Sequence, residues 1–248
     1  MVHEKAVSEH SSAPLGRRER KRLARTEEIL DMGMTLLAEG GFDALTIHAL
    51  AKRLDVAVGA LYRYFPSKGA LIGGLERRVV AELECELGAS VKAAEAHWSE
   101  EPERWARLAP ILALARAFRQ RTEARPERMG LIGRIMAEPE HMLPREEGER
   151  VISDAIGLLN VLKTPFDRAS ALGILNQGEE MLRPLLFWAG LRSVLQTFKL
   201  ETFAPKVIRP DALYAGMVDS LLAGWGADPA DIARARAELS RWSDPGGD

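Results

Sequence analysis

Apolar residues recur at helical spacing along most of the chain, and this periodicity constrains the fold more than any other feature of the sequence. Ile29, Gly33 and Leu37 share one face of the first such segment, and Gly40 and Gly41 then provide a helix stop. No run alternates apolar and polar β-forming residues as a half-buried strand does. The sequence therefore predicts an all-α fold.

Residues 45–64 have the layout of a helix-turn-helix motif. Thr46 is suited to cap a short helix, Asp55 is suited to the turn that follows, and a second short helix is predicted over 57–63. In such a motif the second helix enters the major groove of DNA, while the first lies across the backbone. Gly59 is small enough to let the second helix approach the bases closely.

The stretch from Ile29 to Leu71 resembles the DNA-binding domain of the TetR family of transcriptional regulators. The resemblance rests above all on the segment L-Y-R-Y-F-P-S-K at 61–68, directly after the helix-turn-helix, and it covers residues 15–75. Beyond these residues only the helical layout is similar. The resemblance implies a homodimer that binds double-stranded, palindromic operator DNA, with one recognition helix in each major groove.

The resemblance also implies which residues contact DNA. They are Thr46, His48, Ala57, Val58, Gly59, Ala60, Tyr62, Tyr64 and Lys68. This sequence departs from the family at three positions. Asp55 stands where glycine is usual, and Ala57 and Val58 stand where serine and lysine are usual. Ala57 cannot cap the recognition helix, a loss of roughly 1 kcal/mol, and Val58 can only pack on a thymine methyl group. We therefore expect recognition to depend more on phosphates and DNA shape than on base hydrogen bonds.

Six of the nine residues 17–25 are Arg or Lys. As an extension before the first helix, Arg17, Arg18 and Arg22 are expected to contact phosphates or to enter the minor groove. The alternative is a solvated, charged beginning of that helix. The charge distribution agrees weakly with DNA contact, since residues 1–68 contain 11 basic and 9 acidic side chains, whereas 69–248 contain 23 and 27.

The changes in composition and periodicity along the chain predict a tail followed by two domains. Residues 1–16 are polar and are expected to form a disordered tail. Residues 17–68 are predicted to be the DNA-binding domain, and 69–243 a larger helical domain for ligand binding and dimerisation.

Large apolar side chains are common after residue 100, and a subset is expected to line a cavity between helices. A helix predicted over 166–200, kinked at Pro184, would carry polar residues among apolar ones. A buried polar group needs a partner, which is either another side chain or a ligand. The candidate ligand-binding residues are Trp105, Phe118, Met136, Gln177, Glu180 and Trp188. The expected effector is a small, largely apolar molecule.

Residues 185–200 and 211–224 resemble the two dimerisation helices of the family. Small residues such as Gly216 recur at helical spacing in the second segment and would permit a close approach of helices, although packing within one chain is the alternative. The candidate interface residues are Leu185, Leu195, Ala212, Leu213, Gly216, Met217 and Ser220.

Motifs of other protein classes are missing from the sequence. It has no glycine-rich phosphate loop, no G-x-S-x-G and no H-E-x-x-H, so we expect no enzyme, no cofactor and no metal site. The lone Cys85, expected to be buried or half-buried, excludes an intramolecular disulfide. No apolar run is long enough for a membrane span, and a cytoplasmic location is expected.

These features together predict a repressor that leaves its operator when an effector binds between the helices beyond residue 100 and moves the fourth helix. The alternative, favoured only by Ala57 and Val58, is a helical ligand-binding protein of the same shape that no longer recognises a DNA sequence.

Overall fold

The chain is folded into α-helices. A computed structural model describes residues 16–137 and 143–244, with side chains for 16–134 and 143–244. The helices are α1 (Arg17–Ala44), α2 (Ile47–Arg53), α3 (Val58–Leu61), α4 (Lys68–His97), α5 (Ala109–Ala124), α6 (Pro126–Ala137), α7 (Arg145–Ala171), α8 (Leu182–Thr197), α9 (Pro210–Gly224) and α10 (Pro229–Arg241). Short 3₁₀ helices span Arg104–Arg107 and Phe198–Leu200. Residues 16–137 and 143–244 contain no strand, and the predicted all-α class is confirmed.

The chain divides into two compact units, residues 1–68 and 69–248. In the first unit, α1 is interrupted at Gly41, where φ is 67°, a conformation that glycine adopts without strain. The predicted helix stop therefore lies where the sequence placed it. The core of this unit consists of Ile29, Leu37, Leu45, Leu50 and Leu61, each no more than 4% exposed. The predicted disordered tail lies, apart from Gly16, outside the described residues.

In the second unit, α5 is surrounded by other elements. Every residue from Ala109 to Ala115 is buried, as expected of a helix that is apolar on all sides. Polar atoms of α5 are satisfied by distant elements: the Tyr214 hydroxyl donates to the carbonyl of Ala115 at 2.7 Å, and Arg116 donates to the carbonyl of Leu239 at 2.8 Å. These bonds join α9 and α10 to the central helix.

Ion pairs connect α4 with α6. The Arg128 side chain is 6% exposed and pairs with Glu82 and, at 3.5 Å, with Glu86. Arg78 pairs with Glu82 from one turn away along α4, at 3.0 Å. Burial alone would raise the pKa of Glu82, but hydrogen bonds from Arg78 and Arg128 lower it below its usual value.

The prediction of a single helix over residues 166–200 is wrong. The structure has two helices there, because α7 continues through Pro165 to Ala171 and α8 begins only at Leu182. Pro184 does not kink a helix but lies in the first turn of α8, where its missing N–H has no intrahelical partner to lose. Residues 172–181 form a connecting segment, so Gln177 and Glu180 do not lie on a helix.

Candidate functional site

The beginning of the helix-turn-helix is fixed by a side-chain cap. Thr46 has extended backbone angles, and its Oγ1 accepts a hydrogen bond from the Ala49 N–H at 3.0 Å. Ile47 and Leu50 turn inward and are buried, while His48 points away from the core and is exposed. The local pattern of the sequence therefore sets which face of α2 remains accessible.

The turn between α2 and α3 is a Schellman motif with an unusual residue in it. The Val56 N–H bonds to the Ala51 carbonyl at 3.0 Å, and the Asp55 N–H bonds to the Lys52 carbonyl at 3.4 Å. Asp55 occupies the left-handed position with φ of 51°. Glycine is favoured there, but Asp is among the residues that tolerate it. The departure from the family at this position therefore leaves the turn in place.

Helix α3 is shorter than the predicted 57–63. It spans Val58–Leu61 and continues as turns to residue 64, and Ala57 at its N-cap makes no side-chain bond, in keeping with the predicted loss of a cap. Leu61 and Phe65 are buried and hold the element on the core. A methyl group built on Gly59 would meet no atom within 4 Å, so the surface at this position is open.

The predicted DNA contacts share one property, which is access to solvent. Thr46, His48, Ala57, Gly59, Tyr62 and Lys68 are exposed, and Val58, Ala60 and Tyr64 are half-buried. Tyr62 is 47% exposed. The Lys68 ammonium lies 5.2 Å from the centre of the Phe42 ring, a cation–π contact that restricts this side chain and that the sequence did not indicate.

The basic segment is helical and not an extended arm. Residues 17–25 belong to α1, so the expectation of an extension before the first helix is wrong for these residues. Arg17, Arg18 and Arg22 are exposed, and within the described part of the chain none of the three forms an ion pair. They form a cationic surface at the beginning of α1.

The structure distributes the candidate ligand-binding residues over several environments. Trp105 and Phe118 are buried, Trp188 is half-buried, Gln177 and Glu180 are exposed, and the side chain of Met136 lies outside the described residues. Gln177 and Glu180 line one shallow groove, and Glu180 pairs with Lys163 at 2.8 Å. The reason given for choosing these two, burial on an apolar helix, is wrong because both are exposed and lie in the connecting segment 172–181.

Among the candidate interface residues, exposure separates two groups. Leu185, Ala212, Leu213, Gly216 and Ser220 are exposed, whereas Leu195 and Met217 are half-buried. Met217 contributes to packing within the chain, because its Sδ would lie 2.9 Å from a methyl group built on Gly190. Leu182, Leu185 and Leu186 of α8 are 44–46% exposed, so α8 and α9 present apolar surface to solvent.

Two charged groups of the second unit, one buried and one half-buried, were not among the predicted site residues. Glu76 is 5% exposed, its Oε2 has no hydrogen-bond partner among the described residues, and burial raises its pKa to about 7. Arg192 is half-buried and lines a groove between helices. No sequence signal identifies Glu76, because it belongs to a helical segment in which charged side chains are common, whereas Arg192 is a polar residue on a largely apolar segment, the pattern that the sequence analysis used for ligand candidates. Cys85, expected to be at least half-buried, is exposed.

Within residues 16–137 and 143–244, no helix combines the length and the apolar character required to cross a membrane. In the same part of the chain, no group of three His, Cys, Asp or Glu side chains is placed to hold a metal ion.

The capped α2, the left-handed turn and the exposed face of α3 define a DNA-binding protein of the helix-turn-helix class. Residues 29–75 match the family model of the bacterial regulatory proteins of the tetR family. The transcriptional repressor KstR of Rhodococcus jostii (strain RHA1) is 52% identical over 48 residues, which are 19% of this chain and 23% of that protein. The match with this curated relative thus spans less than a quarter of its length.

Solved structures resemble a larger part of the chain. The fatty acid degradation regulator FadR from Bacillus halodurans has a TM-score of 0.56 at 18% identity, covering 82% of this chain and 97% of that one. RolR, solved with resorcinol, has a TM-score of 0.56 at 15% identity, covering 90% and 96%. At these identities the likeness shows the fold alone. Residues 29–75 therefore correspond to the DNA-binding domain of the tetR family, and the described residues beyond them share the fold of these solved structures.

Proposed function

We propose that the protein is a transcriptional repressor that binds a palindromic operator as a dimer. The observation that carries the proposal is the accessible surface of α2 and α3, which combines a capped helix, the open position Gly59, and the exposed side chains of Tyr62 and Lys68. The 52% identity to KstR over 48 residues supports it, because that protein is an HTH-type transcriptional repressor.

DNA recognition on this surface divides into two kinds of contact. Tyr62, Lys68 and the cationic beginning of α1 offer donors for phosphate oxygens, which position a protein without specifying sequence. Val58 and Gly59 face the bases with no hydrogen-bonding side chain. Specificity then comes from apolar contacts with thymine and from DNA shape, with a smaller share from base hydrogen bonds.

A second copy of the chain is the partner proposed for α8 and α9. The two helices expose leucines beside a strip of small residues, Ala212, Gly216 and Ser220. Such a surface is self-complementary around a two-fold axis, and a two-fold dimer matches the symmetry of a palindrome.

The second unit is proposed to bind a small-molecule effector. Binding releases the operator only if the effector prefers the conformation of the dimer that does not fit DNA, and the shift equals this difference in affinity. The structure of RolR in complex with resorcinol supports a small-molecule site in this fold.

The proposal is tested by selecting duplexes from a random pool with the full-length protein. We expect a palindrome to be enriched, and then to compete with a scrambled duplex in fluorescence anisotropy. Gly59→Leu should weaken binding to the selected duplex by about 100-fold, because the added side chain obstructs the approach to the bases, a loss equal to one or two good base contacts. Gly148→Leu is the matched control, since its added atoms also meet open space but lie on α7.

Salt dependence separates the two kinds of contact. Lys68→Gln should weaken the selected and scrambled duplexes alike and reduce the slope of log K against log salt by about 0.9. A pool in which no sequence is enriched would contradict the repressor, and would favour a ligand-binding protein that has lost sequence recognition at Ala57 and Val58.

A further inference from the structure

A groove in the second unit lies between α5, α6 and α8. Its volume is about 470 Å³. Apolar side chains form part of its lining, namely Pro126, Met129, Leu195 and Phe198. The polar and charged part includes Glu123, Arg192, Gln196 and Lys199. A groove with both kinds of lining suits a small molecule that is itself partly polar.

Arg192 stands out among the groups in this lining. Its Nε is shielded from solvent and has no hydrogen-bond partner among the described residues. In the part of the chain that the structure describes, its guanidinium has one contact with another charged or aromatic group, the Trp188 ring at 5.9 Å. Burial lowers the pKa of Arg192, yet an arginine in a protein remains charged. The groove therefore contains a partly dehydrated cation to which no described residue supplies an anion.

The acidic residue of the groove does not neutralise this cation. Glu123 is bound to Arg119 on the same helix at 2.7 Å, and Arg119 also pairs with Asp211 at 2.7 Å. Lys199, the second cation of the lining, is exposed to solvent. The electrostatic character of the groove is therefore positive at Arg192.

We propose that this groove is the effector site, and that it binds an amphipathic small molecule whose single anionic group, a carboxylate or a sulfonate, lies against Arg192. The inference rests on the proposed function, since it names the chemical class of the effector. It replaces the largely apolar molecule expected from the sequence with one that has a charged end and an apolar body.

An anionic group is expected in the ligand because no carboxylate of the described residues pairs with the Arg192 guanidinium. A planar guanidinium donates in parallel to both oxygens of a carboxylate, and such charge-assisted bonds are about twice as strong as neutral ones. Gly133 leaves room at this position, because a methyl group built there would lie 3.2 Å from Arg192 Nη2. The apolar body of the ligand then covers Met129 and Phe198, which line the same groove.

The test uses two fluorescent probes that differ by one group. Anilinonaphthalene sulfonate carries the anion, and phenylnaphthylamine has the same ring system without it. With full-length protein we expect one saturable site per chain that binds the sulfonate at least about tenfold more tightly, the value of one hydrogen bond to a charged group. Arg192→Gln should abolish this preference while the neutral probe changes less than twofold, and Arg192→Lys should retain part of it.

Two glycine substitutions provide a second comparison. Gly133→Ala brings a methyl group against the guanidinium and should weaken the sulfonate probe by about threefold, a fraction of the charged hydrogen bond. Gly148→Ala makes the same change on α7, where the methyl group meets no atom within 4 Å and lies outside the lining of the groove, and should leave the preference intact.

The two proposals fail in distinguishable ways. Equal affinity for the two probes, no binding of either, or an undiminished preference in a folded Arg192→Gln variant would overturn the anionic effector. All four variants should still enrich the same palindrome from the random pool, since α2 and α3 are unchanged. Loss of enrichment in the wild type, with the probe preference intact, would overturn the repressor and leave the ligand class standing.

Discussion

The two units of the chain use their polar side chains in opposite ways. In the first unit, the candidate DNA contacts stand exposed on a small apolar core, and Gly59 keeps the surface open. In the second unit, Glu76, Arg128 and Arg183 are buried among helices. The contrast agrees with the proposed function, because a DNA duplex is met by groups that project from a surface, whereas a small molecule is enclosed between elements.

Three glycines show a similar contrast between an open surface and packing within the chain. Gly59 has no neighbour within 4 Å, so its lack of a side chain matters to what approaches from outside. Gly190 faces Met217 of α9, and Gly178 lies against the Arg183 guanidinium, at 2.9 and 2.6 Å from the position a methyl group would take. At these two positions the missing side chain serves packing within the chain, whereas Gly148 and Gly216 of the same unit meet open space.

The largest expected effect tests whether the exposed surface of α9, in the second unit, forms the proposed dimer interface. Gly216 of α9 is exposed, and a side chain there meets no atom of the chain, so Gly216→Arg should fold normally. In the proposed dimer it places a charge in the interface. We expect monomers in analytical ultracentrifugation and a loss of operator affinity of roughly 100-fold or more, as linked half-site binding is removed.

Gly148→Arg, a substitution into open space on α7, is the control and should remain dimeric. A dimeric Gly216→Arg protein with normal operator affinity would remove α9 from the interface.

The next effect concerns buried charge in the second unit. Arg128→Met leaves the carboxylates of Glu82 and Glu86 without this partner, although both are a quarter to a third exposed. We expect the free energy of unfolding to fall by about 1–3 kcal/mol. Arg145→Met breaks an exposed pair with Glu149 and should change it by less than about 0.5 kcal/mol.

Urea unfolding followed by tryptophan fluorescence measures both, because all five tryptophans lie after residue 69. Equal losses in the two variants would mean that burial does not distinguish these pairs.

A pH dependence follows from Glu76. Its pKa is about 7 in the folded chain against an ordinary 4.5, so the folded state holds its proton more tightly than the unfolded state. The contribution of this group to stability is therefore fully present below pH 4.5 and is lost as pH rises through 7. Glu76→Gln stays neutral and should stabilise the protein at pH 8 by about 1–3 kcal/mol, with little change at pH 5.

The same fluorescence assay at the two pH values tests this. A constant difference between Glu76→Gln and the wild type across this range would contradict a buried, unpaired carboxyl group.

The smallest effect concerns the turn of the first unit. Asp55→Gly relieves the left-handed backbone but adds freedom to the unfolded chain, so we expect a net gain of no more than about 1 kcal/mol. Asp55→Val places a branched side chain at positive φ and should cost about 1–3 kcal/mol. Hydrogen exchange of the Val56 amide, which bonds to Ala51, should slow in the first variant and quicken in the second.

The sequence by itself determined the all-α class and the helix-turn-helix. Both depend on information within a few residues, such as helical periodicity, the Thr46 cap and the glycine at the break in α1. The accessible face of α2 followed from the same periodicity, because residues at helical spacing must share the core.

Tertiary structure alone decided where α7 ends and α8 begins, and which charges are buried. The segment 172–181 is held by contacts that no local pattern contains: Arg183 donates to Ser170 at 2.8 Å and to the Asn176 carbonyl at 2.9 Å, and the Asn176 N–H bonds to the Trp225 carbonyl at 2.7 Å. The groove that Arg192 lines likewise exists only because α6 lies beside α8. Local sequence sets the conformation of a segment, but the environment of a side chain is set by elements distant in the chain.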